Sequence, residues 1–316
     1  MALSRLSGDE QGIILGQLRN TLEPRLAVYF SSASSELRAL LTPAVRQQLR
    51  ADYEVAAALC VKMGMRSCKE FREAMRIDLL DLGLSAADLA RLGLLGSVLP
   101  ALETLNLSEY SAGPDGVLRL VEGLVAGALP AVTDIGISLM HVGDAGASAI
   151  AAALDRGALP RLKDLWLTNA AIGDAALVAL APALRRRPML EHLYLCDNPF
   201  GDEGLAALVA PSPPAGTPPL PTGGLKKLRT LDLEGTQVSD AGCAALAAAL
   251  DSGALPALVT PRLDDIPASA AAMDAVDEAL ERSRAEALAR AERAAMAESA
   301  APESEAAAPA GACGSS

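Results

Sequence analysis

The sequence predicts an α/β solenoid, in which parallel strands alternate with helices behind an α-helical N-terminal cap. Three observations point to it. One long pattern recurs five times along the middle of the chain. The core of each copy alternates apolar with other residues, the period of two that marks a short strand. A turn ending in Asp and an Ala/Leu-rich run of helical character then follow. The chain is 51% hydrophobic but only 3% aromatic, which suits many small repetitive contacts better than one core packed with rings.

The five copies begin at Leu102 (LETLNLSEYSAGPDG), Val132 (VTDIGISLMHVGDAG), Leu162 (LKDLWLTNAAIGDAA), Leu190 (LEHLYLCDNPFGDEG) and Leu228 (LRTLDLEGTQVSDAG). The steps between them are 30, 30, 28 and 38 residues, the last lengthened by PSPPAGTPPLPTGG at 211–224. A sixth copy from Leu258 (LVTPRLDDIP) starts in the same way and then degenerates. Strand alternation requires Leu105/Leu107, Ile135/Ile137, Leu165/Leu167, Leu193/Leu195 and Leu231/Leu233 to point inward together. Asp144, Asp174, Asp202 and Asp240 stand where an N-cap is expected, each carboxylate accepting from the first amides of its own helix. Gly157, Pro188, Pro211 and Gly253 are expected helix ends. Because every unit repeats one path, neighbouring strands run parallel.

A period of 28 to 30 with a helix in every unit resembles the ribonuclease-inhibitor class of leucine-rich repeats, over roughly Leu99 to Ile266. The resemblance implies strands on a concave face, helices on a convex one, and partners bound through the concave side. The asparagine that this family places after the strand stands only at Asn198; Tyr110, Met140, Ala170 and Thr236 replace it elsewhere.

Residues 1–98 lack the repeat pattern and read as helices that cap the first repeat. Apolar residues recur at helical spacing through Ile14–Leu22, Leu37–Leu41, Val55–Met63 and Phe71–Leu82, with Pro24, Pro43 and Gly64 as breaks. Ser85 and Asp88 form a capping pair for a short helix reaching Leu92. Within this region, LRNTLEPRLAVYFSSASSELRALL resembles the F-box motif, with an apolar helix, a Leu-x-Pro turn and a hydroxyl-rich stretch. That resemblance implies a substrate receptor of a cullin-type ubiquitin ligase, with Leu22, Pro24 and Leu37 on the adaptor. An ordinary helical cap is the other reading of the same residues. At the far end, 267–316 begins with a helix supported by Glu278/Arg282 and Glu286/Arg290, four residues apart. An Ala/Glu-rich tail beyond Ser299 has the composition of disorder.

Composition excludes some functions. Acids outnumber bases 39 to 27, the reverse of a surface for nucleic acid. The five cysteines have no zinc or redox spacing, and MALSRLSGDE carries no apolar signal core, so an intracellular (cytoplasmic or nuclear) protein is expected. No apolar stretch is long enough for a membrane span. His192 and Cys196 share one face of a strand, but two ligands do not close a metal site. No phosphate loop or nucleophile elbow is present, and neither catalysis nor a cofactor is expected. Ran GTPase-activating proteins have a similar solenoid with an acidic stretch behind it, so a Ran-type GTPase activator is a third reading, although the tail here is Ala-rich and only mildly acidic and no catalytic residue of that family is assigned.

The alternation also predicts the open face. Between the paired strand leucines lie Asn106, Gly136, Trp166, Tyr194 and Asp232, and ahead of them Thr104, Asp134, Asp164, His192 and Thr230. Strands about 4.8 Å apart would stack Trp166 on Tyr194, with Asp134, Asp164, His192 and Asp232 around them. An aromatic pair with a charged border is expected to hold a protein partner. In the insert, Pro218-Pro219-Leu220-Pro221 matches the P-x-x-P pattern of SH3 ligands, or is simply a surface excursion.

Overall fold

The computed structural model describes residues 20–32, 38–39, 41–112, 115–210 and 224–299. The P-x-x-P insert (apart from Gly224), Leu37 and the tail beyond Ser299 lie outside them. Among the described residues the helices α1 (Arg25–Ser31), α2 (Pro43–Lys62) and α3 (Cys68–Glu73) precede the sheet. Strands and helices then alternate: β1 (Arg76–Leu80), α4 (Ala86–Leu95), β2 (Thr104–Ser108), α5 (Gly116–Glu122), β3 (Asp134–Ile137), α6 (Gly143–Asp155), β4 (Asp164–Trp166) and α7 (Asp174–Arg185). They continue as β5 (His192–Tyr194), α8 (Asp202–Val209), β6 (Thr230–Asp232), α9 (Asp240–Asp251), β7 (Thr260–Arg262) and α10 (Ala270–Ser299).

The strands form one parallel sheet in chain order, β1 to β7. Registers align equivalent positions, so Leu105, Ile135, Leu165, Leu193 and Leu231 fall in one row. These residues are buried, as are Leu107, Ile137, Leu167, Leu195 and Leu233 two positions on. Each helix from α4 packs on the helix of the next repeat, and α10 closes the series on α9. There Val276, Ala279 and Leu280 are buried, whereas Leu288 is exposed. One apolar core therefore runs the length of the stack and each unit is stabilised by its neighbours, as in other solenoids.

Two expectations are corrected here. Residues 71–82 are not one helical stretch: α3 ends at Glu73 and β1 follows, paired with β2. Ile77 and Leu79 point inward from it, while Arg76, Asp78 and Leu80 are exposed. The repeat thus begins before residue 99, and Ser85 and Asp88 form a capping box on α4, the helix of this first repeat. Ala74 stands where the pattern has its first leucine, and this shortens the apolar signature.

The helix-start aspartates are also placed differently. Asp144 is the second residue of α6, whose N-cap is Val142, while Asp174, Asp202 and Asp240 are the first residues of theirs, whose N-caps are Gly173, Gly201 and Ser239. The carboxylates of these last three reach the following repeat. Asp174 Oδ1 accepts from Gly201 N at 2.9 Å and Gly204 N at 2.7 Å. Asp202 accepts from the amide and hydroxyl of Ser239 at 2.8 and 2.6 Å, and Asp240 from those of Ser269 at 2.6 and 3.0 Å. The turn geometry lets each aspartate satisfy amides of the next helix instead of its own.

Asn198, buried among the strand-end turns, binds the main chain of its own and the preceding repeat. Its Oδ1 accepts from Ala170 N and Ile172 N at 3.0 Å. Its Nδ2 donates to Leu167 O, Leu195 O and Cys196 O at 2.6 to 3.1 Å. Buried Glu109 does similar work at the first repeat, accepting from Leu82 N at 2.8 Å and Leu84 N at 3.2 Å.

Candidate functional site

The outward strand positions form two rows on the open sheet. The middle row runs Asp78, Asn106, Gly136, Trp166, Tyr194, Asp232, Arg262, and the row ahead of it Arg76, Thr104, Asp134, Asp164, His192, Thr230, Thr260. Trp166 and Tyr194 are register partners, and their rings stack with centroids 3.5 Å apart and planes 11° from parallel. Trp166 remains 40% exposed, so an indole surface is open to solvent. Burial and then the Asp164 and Asp232 carboxylates push the Tyr194 hydroxyl above its ordinary value, keeping it neutral.

The charged residues around the rings divide into two groups. His192 lies 3.8 Å from Asp164 Oδ1 through Nε2 and 3.0 Å from Thr230 Oγ1 through Nδ1. Asp164 is register partner to Asp134, and burial together with that neighbouring carboxyl pushes it up to about 7. Asp134 accepts from the Thr133 hydroxyl at 2.5 Å. Asp232 is different. Its side chain is almost fully buried, bound to Arg262 Nη1 at 3.2 Å and to Glu234 N at 3.2 Å. The expected charged border therefore loses Asp232, and Arg262 takes its place at the surface. Asn106 donates to Asp78 Oδ1 at 2.7 Å, and Asp78 pairs with Arg76 at 2.7 Å. Arg76, Asp78 and Arg262 escape the sequence reading because β1 and β7 carry the weakest copies of the pattern.

Leu22, expected on an adaptor-binding face, is packed into the apolar core. Pro24 is half-buried and lines a depression of about 380 Å³ with Glu23, Tyr53 and Arg72. The Cys196 thiol lies 3.2 Å from Thr168 Oγ1, and burial pushes its pKa up, away from thiolate chemistry. Among the described residues, no group of three or more His, Cys, Asp or Glu could hold a metal ion, and no helix is long and apolar enough to cross a membrane.

A family profile described as Leucine Rich repeat matches residues 188–209 and 224–247. No curated protein matches the chain. Among solved structures, an internalin from Listeria monocytogenes is similar over 63% of this chain and 69% of its own, at 14% identity and a TM-score of 0.29. With its repeated strand leucines, its single parallel sheet in chain order and its helices stacked repeat on repeat, the chain is a leucine-rich-repeat solenoid.

Proposed function

We propose that this solenoid is a non-catalytic module that holds a protein partner on its open sheet face, with Trp166 and Tyr194 as the anchor. The observation that carries the reading is a stacked aromatic pair left open to solvent in the middle of the sheet. Large rigid rings bury much apolar area at small entropic cost, which is why interface hot spots favour them. Asp134, Asp164 and His192 lie on the adjacent row and would set partner charge and orientation.

Affinity capture with the full chain and with a Trp166→Ala/Tyr194→Ala chain tests this reading. Loss of the captured partners in the double variant is expected. Retention of the same partners would move recognition elsewhere. A receptor role on a cullin-type ligase is the second reading. It draws on the exposed side chains of Val28 and Tyr29 on α1, after the Leu-x-Pro turn. Val28→Asp/Tyr29→Asp would then remove an adaptor complex while leaving concave-face partners bound.

A further inference from the structure

The middle row of the sheet contains one gap. Gly136 lies between Asn106 and Trp166 in register, and a Cβ placed on it would sit 2.6 Å from Asn106 Oδ1. The amide thus leans over the missing side chain with its acceptor toward the gap, while its Nδ2 is engaged by Asp78. Tyr194 covers one face of the indole. The other face borders a depression of about 500 Å³ whose walls include Gly136, Asn106, Asp134 and the Arg76–Asp78 pair.

The charge around this depression is unequally balanced. Asp78 is held by Arg76, and Asp232 and Glu234 are held by Arg262. Asp134 has no ion pair among the described residues, although it shares a hydrogen bond with the Asp164 carboxyl and Arg76 acts on it at longer range; Asp164 has only His192, at 3.8 Å. An open aromatic face, an amide acceptor and a carboxylate with no ion pair surround one cavity, whose one base, Arg76, is engaged by Asp78. A planar cation rich in N–H donors satisfies all three at once, by stacking on the ring and bonding along its edge. A neutral or anionic side chain would leave the carboxylate uncompensated.

Building on the concave-face reading, we propose that the gap over Gly136 is a subsite for an arginine side chain of the partner protein. Its guanidinium stacks on the free face of Trp166 and donates to Asp134 and to Asn106 Oδ1. The glycine is the enabling residue, because any side chain at 136 would close the space.

Trp166 is the only tryptophan in the chain, so a change in tryptophan emission reports on events at this ring. The test titrates the full chain with N-acetyl-argininamide and with N-acetyl-citrullinamide, its uncharged near-isostere. A saturable emission change with the arginine compound and none with the citrulline compound is expected. Asp134→Asn should weaken the arginine response about tenfold, as expected for loss of one charge-assisted pair. Gly136→Val/Asn106→Ala, made together so that the new side chain has room, should abolish it. Equal responses to the two compounds, or none to either, would overturn the subsite without recourse to any variant. Peptides selected on the full chain separate the two levels of the argument. A selected peptide that perturbs Trp166 yet has no basic residue overturns the arginine subsite and leaves the concave-face reading standing. Peptides whose binding survives Trp166→Ala/Tyr194→Ala overturn the concave-face reading itself.

Discussion

The carboxylate of Asp174 lies 2.7 Å from the amide nitrogen of Gly204, one repeat further on. Asp174 opens α7, and Gly204 is the third residue of α8, so a side chain at the start of one helix caps the next. A Cβ on Gly204 would sit 2.9 Å from Asp174 Oδ1, and one on Gly242 would sit 2.5 Å from Asp202 Oδ1. At these two sites the pair is steric: the aspartate reaches forward and the glycine of the following helix admits it, whereas Asp240 reaches Ser269 with Ala272 at the third position of α10. Where that third position is Ala176, the preceding Asp144 makes no such bond among the described residues.

This arrangement reverses the ordinary effect of glycine in a helix. Gly→Ala inside a helix normally stabilises by about 1 kcal/mol. Gly204→Ala and Gly242→Ala should instead destabilise by about 1–2 kcal/mol, because the new methyl displaces a carboxylate from buried amides. Gly173, the N-cap of α7, has open space around its Cβ position and no carboxylate to displace, so its alanine variant should lose only the smaller cost of a poorer N-cap. Urea denaturation of the three variants checks this; increased stability of Gly204→Ala would contradict the cross-repeat cap.

Asn198 holds two amides and three carbonyls in place from a buried position. Asn198→Ala leaves the amides of Ala170 and Ile172 without partners and should cost about 3 kcal/mol or more. Asn198→Asp keeps the acceptor but turns a carboxylate oxygen toward three carbonyls, and should also destabilise. Thermal melting of both variants beside Thr236→Ala, which loses only the bond to Leu233 O, gives the comparison. Similar melting temperatures for all three would contradict the role assigned to Asn198.

Asp164 makes stability depend on pH. Burial, the Asp134 carboxyl and the Glu191 charge push its folded pKa up to about 7 from 3.8, with Lys163 opposing. His192 also faces it, from β5. A carboxyl whose folded pKa is raised contributes stability that is full below its unfolded pKa and lost as pH rises through the folded value. Its contribution therefore declines between about pH 4 and pH 7 and is absent at pH 8. Asp164→Asn should accordingly be more stable than the unaltered chain at pH 8, by about 1–2 kcal/mol after allowance for partial exposure, and nearly equal to it at pH 4. Denaturation curves at the two pH values decide it; a difference independent of pH would remove Asp164 as the cause.

Much of this architecture is legible in the residues, and the exceptions share a cause. The strand pairs are readable because two inward leucines at spacing two, repeated every 28 to 30 residues, admit one register. That register alone places Trp166 beside Tyr194. The first repeat is harder to read because Ala74 replaces its first leucine and Met75 adds to a helical spacing through Phe71 and Leu79. The aspartates mislead because capping rules are local, whereas their acceptor role is set by how one turn stacks on the next. Asp232 looks like surface until Arg262 comes over it, and Arg262 belongs to a copy with Pro261 in place of the inward leucine. The gap over Gly136 depends on where the Asn106 amide leans, which no spacing encodes.

The most direct measurement of the central claim is the affinity of a captured partner for the unaltered chain and for the Trp166→Ala/Tyr194→Ala chain, by calorimetry at equal ionic strength. Removing two central aromatic anchors should weaken binding by at least about 2 kcal/mol, roughly thirtyfold, with an unchanged fold by circular dichroism. Equal affinities for the two folded chains would contradict recognition on this face.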